Sequence, residues 1–214
     1  MARKKASEAS IVSALHFVKG ALGAKEGDLA MTHFRIKDER ITSYNGKMAL
    51  SAPIPLNIDC CPKASTFSKA IDACEETGNM TLTPNKKLSV RSGTFRVIID
   101  TMDEQFYPWL EPTGEWVHEP GVLHTFTKLF PFISEDDQRP WACGILLDGG
   151  SAMATNNKVV GECWMGKHFP YRVCVPRHAV RELIRIGEEP ISVQVCGHSI
   201  TFYFSGERYL LLQA

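Results

Sequence analysis

The chain has 214 residues, 44% of them hydrophobic and 22% charged, proportions that suit a globular protein with a sizeable core and exclude a disordered one. Lys and Arg (24) balance Asp and Glu (24) to a formal net charge of zero, so any contact with nucleic acid has to come from a local basic face. The seven cysteines include no C-x-x-C pair, which signals neither a disulfide framework nor a zinc site and fits a reducing cytoplasm.

Met1-Ala-Arg-Lys-Lys-Ala6 is basic but leads into no apolar secretion core, and no run approaches the roughly 18 apolar residues that cross a bilayer. Neither secretion nor membrane insertion is expected, and the expected location is cytoplasmic. The first element is a helix with Ile11, Leu15, Val18 and Leu22 on one stripe. A strand-turn-strand run follows from Phe34 to Met48, turning at Asn45-Gly46. A second helix carries Phe67, Ile71 and Cys74, with Ser65 near its start. Three alternating strands, Met80–Thr83, Leu88–Arg91 and Phe95–Ile99, complete the first half.

Tyr107-Pro-Trp-Leu-Glu-Pro-Thr-Gly114 is rich in turn formers and reads as a linker. Beyond it the pattern begins again, offset by about 111–113 residues. Val122, Phe126, Leu129 and Ile133 repeat the first helix, although Pro131 should end it early. Gly144–Val159 repeats the strand-turn-strand run and sets Asn156-Asn157-Lys158-Val159 on Asn45-Gly46-Lys47-Met48. Ala179, Leu183 and Ile186 repeat the second helix after Pro176. Strands at Ile191–Val195, Ile200–Phe204 and Tyr209–Leu212 close the second half, with Ser205-Gly206 echoing Ser92-Gly93. Two tandem α+β domains follow, 1–108 and 109–214.

The order of these strings resembles the bacterial-type DNA polymerase sliding clamp, the β subunit of the replicative polymerase. Ala154-Thr155-Asn156-Asn157-Lys158-Val159-Val160 is similar to that family's A-T-D-G-H-R-L turn, and Val175-Pro-Arg-His-Ala-Val-Arg-Glu-Leu-Ile-Arg185 to its V-P-R-K-x-V-x-E-L-x-R helix. Gly20-Ala-Leu-Gly-Ala-Lys25, Val90-Arg-Ser-Gly-Thr-Phe-Arg-Val97 and Phe106-Tyr-Pro108 match a loop, a strand and a domain end. The likeness runs from about Ser10 to Leu212. The sequence departs from the family in having two domains per chain rather than three, and in its altered turn signature.

The resemblance implies a ring of DNA-clamp domains around duplex DNA, tethering a polymerase and received from a clamp loader. Six such domains close a ring in the family, so two-domain chains imply a homotrimer, a form that suggests a phage or other mobile replicon. Sequence-independent phosphate contacts need Lys and Arg on helices facing the pore. The candidates are Arg177, Arg181 and Arg185 on the fourth helix, with Lys19, Lys25, Lys69 and Lys128. Short partner peptides would bind an apolar pocket of Met31, Tyr44, Gly46, Lys47, Met48, Pro108, Leu210 and Leu212. Ring closure would use strand edges around Phe95, Val97 and Ile99, and around Ile145 and Leu147.

No P-loop, dinucleotide, zinc-protease or nucleophile-elbow string occurs. Cys74 and Cys174 read as small hydrophobes. No catalytic residue, metal or cofactor is expected. The rival reading is a clamp-like protein that binds clamp partners without encircling DNA.

Overall fold

A computed structural model of the chain describes residues 10–23, 28–74, 79–82, 87–108, 110–136 and 138–213. It divides into two compact units, Met1–Glu111 with Gly206–Leu211, and Pro112–Ser205 with Leu212–Ala214. Both are α+β, with helices packed on antiparallel strands.

Unit 1 opens with α1 (Ile11–Val18), whose N-terminus is capped by the Ser10 hydroxyl accepting from Ser13 N at 3.1 Å. Its stripe of Ile11, Leu15 and Val18 is buried, and Ala14 and Phe17 widen the contact. Strands β1 (Arg35–Lys37), β2 (Arg40–Tyr44) and β3 (Met48–Pro53) form an antiparallel meander beneath it. The short β4 (Cys61–Pro62) leads into α2 (Ala64–Asp72), which packs beside α1. Phe67 of α2 meets Phe34 edge to face, ring centroids 6.2 Å apart. Strands β5 (Asn79–Leu82), β6 (Lys87–Ser92) and β7 (Phe95–Met102) complete a second antiparallel sheet in the order β4-β7-β6-β5.

Unit 2 begins with β8 (Glu115–His118) and the short α3 (Leu123–Leu129), which ends in a 3-10 turn at Phe130–Phe132, as Pro131 requires. A seven-residue helix is too short to be stable alone. Its first amides are met by one carboxylate, Glu189, which accepts from Val122 N at 2.6 Å and Leu123 N at 2.9 Å. The long ribbon of β9 (Gly144–Thr155) and β10 (Val160–Pro176) follows, with register shifts either side of Phe169. Next comes α4 (Arg177–Ile186), packed on α3 and closed by Gly187 in the left-handed conformation at φ 71°. The strands β11 (Ser192–Cys196) and β12 (Ser199–Phe204) form a hairpin, with β8 on the free side of β11. The last strand, β13 (Arg208–Gln213), falls mostly in unit 1, beside β3.

The helices and most strands lie where hydrophobic periodicity put them. The expected linker, Tyr107–Gly114, leads directly into strand β8 (Glu115–His118), which hydrophobic periodicity had not marked. The ribbon arm from Val160 to Tyr171 went unread, because its bulges break the period-two pattern.

The double cap by Glu189 has a measurable weight. Glu189→Ala should destabilise the protein by about 1–2 kcal/mol, the range for losing an N-terminal cap, read from the midpoint of urea unfolding.

Candidate nucleic-acid and partner interfaces

The fourth helix was expected to offer three arginines, and the structure separates them. Arg177 turns back onto its own unit, donating to Ile133 O at 2.7 Å and Glu135 at 2.5 Å, with its guanidinium 4.8 Å from the Phe130 ring centroid. Arg185 donates through Nε and Nη2 to the buried Glu182 carboxylate at 2.8 and 2.6 Å. Glu182 would be an uncompensated buried charge without it. Arg181 is exposed and has no ion-pair partner among the described residues. Lys19, Lys69 and Lys128 are also exposed. Lys25 lies outside the described residues.

The candidate partner pocket centres on the turn between β2 and β3. Asn45 Oδ1 accepts from Lys47 N at 3.1 Å and Met48 N at 3.0 Å, and Asn45 N donates to Met48 O at 3.2 Å. Gly46 sits at φ +87°, and a Cβ there would come within 2.8 Å of Met31 Cε. Met31 therefore lies over the turn, and the positive φ, more than the movable Met31 Cε, favours glycine there. Unit 2 repeats this turn bond for bond. Asn156 Oδ1 accepts from Lys158 N and Val159 N at 3.1 and 3.0 Å, Asn156 N donates to Val159 O at 3.3 Å, and Asn157 takes the left-handed position at φ 70°. The altered turn signature thus keeps the turn's geometry, because Asn tolerates that conformation.

Tyr44 packs against two apolar clusters, one of Ala30, Cys61 and Tyr107, the other of Ala49, Leu110 and Leu211. Pro108 lines a cavity of about 170 Å³ with Tyr107, Leu110, Tyr209 and Arg40. Gly46 and Lys47 are exposed, whereas Met48, Leu210 and Leu212 are buried. Leu212 belongs to unit 2, apart from the other pocket candidates. Pro108 is the one pocket candidate that lines this cavity, and sequence reasoning missed its other walls, Tyr107, Leu110, Tyr209 and Arg40 among them. The aromatic residues next to Pro108 and Leu210 were the available signal.

Charge around this cavity is organised by two groups. Arg35 and Lys37 both donate to Glu104 Oε1, at 2.8 and 2.6 Å. The Lys37 and Arg35 hydrogen bonds hold the Glu104 carboxyl below the usual glutamate range. Arg40 donates to Ser51 Oγ at 3.2 Å and Glu207 O at 2.7 Å, and stacks 5.1 Å from the Tyr209 centroid. Burial pushes the Cys60 and Cys61 thiols up to about 12 and about 11, which makes them unreactive. Among the described residues no three His, Cys, Asp or Glu side chains converge to hold a metal.

Of the proposed edge residues, Ile99, Ile145 and Leu147 are buried in their own units, while Phe95 and Val97 are half-buried. Ile98 is the exposed apolar residue of β7. Among the described residues, β7 pairs on the side away from β6 with β4 alone, at Met102 and Thr101. Among the described residues, β10 pairs only with β9.

The architecture superposes on solved DNA polymerase sliding clamps. The clamp from Bacillus subtilis matches with a TM-score of 0.81 and 15% identity, over 94% of this chain and 61% of that one. The DNA polymerase III subunit beta from Pseudomonas aeruginosa matches at 0.81 and 17%, over 95% and 62%. The beta subunit from Streptococcus pyogenes matches at 0.79 and 17%, over 94% and 61%. The chain has the sliding-clamp fold. It spans about three fifths of the length of these clamps. No family model and no curated protein matches the sequence.

Within this clamp fold two of the three arginines of α4, Arg177 and Arg181, have separable roles. Arg177→Ala should cost about 1–2 kcal/mol of stability, through a half-buried charged hydrogen-bond network, whereas Arg181→Ala should stay within about 0.5 kcal/mol. Urea unfolding of the two variants checks both. Because Glu104 is held below its ordinary value of 4.5, its contribution is complete above that pH and lost as pH falls through the lowered value. Glu104→Gln should flatten the acid limb of the stability-pH profile, read by unfolding at a series of pH values.

Proposed function

We propose that this chain is a DNA sliding clamp, a non-catalytic ring that encloses duplex DNA and tethers a polymerase. The observation that carries this reading is a strand pairing made once in the chain and left unmade once. The register that sets Ser92-Gly93 on Ser205-Gly206 sets Ile98 on Leu211, and the register that sets Asn45 on Asn156 sets Ala49 on Val160. In unit 1, Leu211 packs on Ala49, and the two are 2% and 1% exposed. Their counterparts Ile98 and Val160 are 51% and 72% exposed. Among the described residues, each chain thus carries two unmatched halves of a contact it makes elsewhere: the edge of β7 at Ile98 and the edge of β10 at Val160. A heterologous contact of this kind generates a closed ring when the rotation per subunit closes. It would also cover two open strand edges.

The counterpart of β3, which receives β13, is β10 rather than β9, so the receiving edge is β10 from Val160 onward rather than Gly144–Asp148. Two clamp domains per chain make three copies the expected ring. The exposed cations Arg181, Lys19, Lys69 and Lys128 would meet phosphates without reading sequence. The Met31, Tyr44, Gly46 and Pro108 region would receive short apolar peptides of polymerase and clamp loader, a role that suits a Met-containing surface.

Solution mass measurement tests ring formation: the wild type should run as three copies. Ile98→Asp and Val160→Asp should each weaken assembly at least about tenfold, as a buried charge at an interface centre does. Mixing the two variants should not restore it, since each closed ring would still contain defective contacts. A chain that stays monomeric at micromolar concentration and does not slide on nicked circular DNA would overturn the proposal. Arg181→Glu should shorten retention on such DNA without lowering stability, and retention should fall steeply with added salt.

A further inference from the structure

Unit 2 contains a cavity of about 590 Å³ that the clamp reading does not use. Its volume lies within the range of small-molecule sites. Val173, Pro176, Val195, Ile200 and Leu212 supply an apolar lining, and Cys174 and Cys196 both border it. Its charged residues are paired: Glu115 accepts from Tyr171 Oη, also on the cavity wall, at 2.5 Å, and Arg172 lies 3.4 Å from Asp148. The space therefore suits an uncharged, largely apolar ligand.

The two thiols differ. Cys174 is solvent-exposed, and desolvation by surrounding atoms raises its thiol above its ordinary range. Cys196 ends β11 opposite Ser199, with Gly197-His198 forming the turn between them. The Ser199 hydroxyl lies 3.1 Å from its sulfur and the Thr113 hydroxyl 3.6 Å. Donation from Ser199, the His198 backbone amide and Thr113 brings the Cys196 thiol down to about 7. A half-exposed thiol so placed is substantially thiolate at neutral pH, the form that reacts.

We propose that this cavity is a covalent ligand site, in which Cys196 adds to a small apolar α,β-unsaturated carbonyl compound whose tail occupies the apolar lining. The thiolate sulfur forms a bond to the β-carbon. The carbon–carbon π pair moves to the α-carbon and carbonyl oxygen, and the resulting enolate takes a proton from water at the α-carbon. Nothing leaves, and no oxidant is needed.

The test uses the full-length protein with N-ethylmaleimide and N-cyclohexylmaleimide, followed by intact mass and peptide mapping, with glutathione as the free-thiol reference. The first adduct should map to Cys196, and its rate should rise with pH with a midpoint near 7. The ratio of cyclohexyl to ethyl rates should exceed that for glutathione by about tenfold, as expected from burying several added carbons. Cys196→Ser should remove the first adduct, and Ser199→Ala should move the midpoint upward while leaving Cys196 the modified residue. First labelling at another cysteine, or a rate ratio equal to that of glutathione, would overturn the proposal.

Discussion

The edge of a β-strand is a row of backbone donors and acceptors that must be met by another strand, by water or by a covering element. In unit 1 this requirement is met when the chain returns after 205 residues and lays β13 beside β3. The burial of Ala49 and Leu110, and the partial burial of Tyr44, follow from that return, because Leu211 of β13 packs among them. The apolar surroundings of the Asn45-Gly46 turn therefore depend on the last strand of the chain. Among the described residues the same demand is unmet along most of one edge of β7 and of β10, where Ile98 and Val160 are exposed.

Much of this was legible in the sequence, because duplication writes each signal twice. The helical stripes at Ile11, Leu15 and Val18 and at Val122, Phe126 and Leu129 lie buried as their spacing implies. The turn at Asn156-Asn157 shows where residue identity misleads. Its Asp and Gly are gone, but an amide oxygen accepts the same two bonds and Asn takes the left-handed position, so the geometry survives. Side-chain direction on edge strands was harder to read. Val97 and Ile99 have a clear period of two, but periodicity names two faces without saying which is covered. On β7 the exposed apolar residue is Ile98, between them.

The basic wall was the least legible feature. Placing residues at about 100° around a helix puts Arg177, Arg181 and Arg185 on one side. It says nothing of a carboxylate arriving from Glu135, or of one buried a turn away at Glu182. The first is a tertiary fact and the second a local i,i+3 pair, and together they leave α4 with less available charge than its arginines suggest. In the proposed clamp, fewer available cations on this helix would mean weaker phosphate contacts and easier sliding.

The carboxylate of Glu189 gives the pair of helices in unit 2 a shared fate. Helix ends ordinarily loosen first, and a two-turn helix such as α3 has little besides its ends. Its leading amides are held by the loop that follows α4, so unwinding either helix withdraws an anchor from the other. The two therefore behave as a single plate rather than as independent rods. In the proposed clamp such stiffness would keep the wall from moulding itself to one stretch of nucleic acid and stalling there.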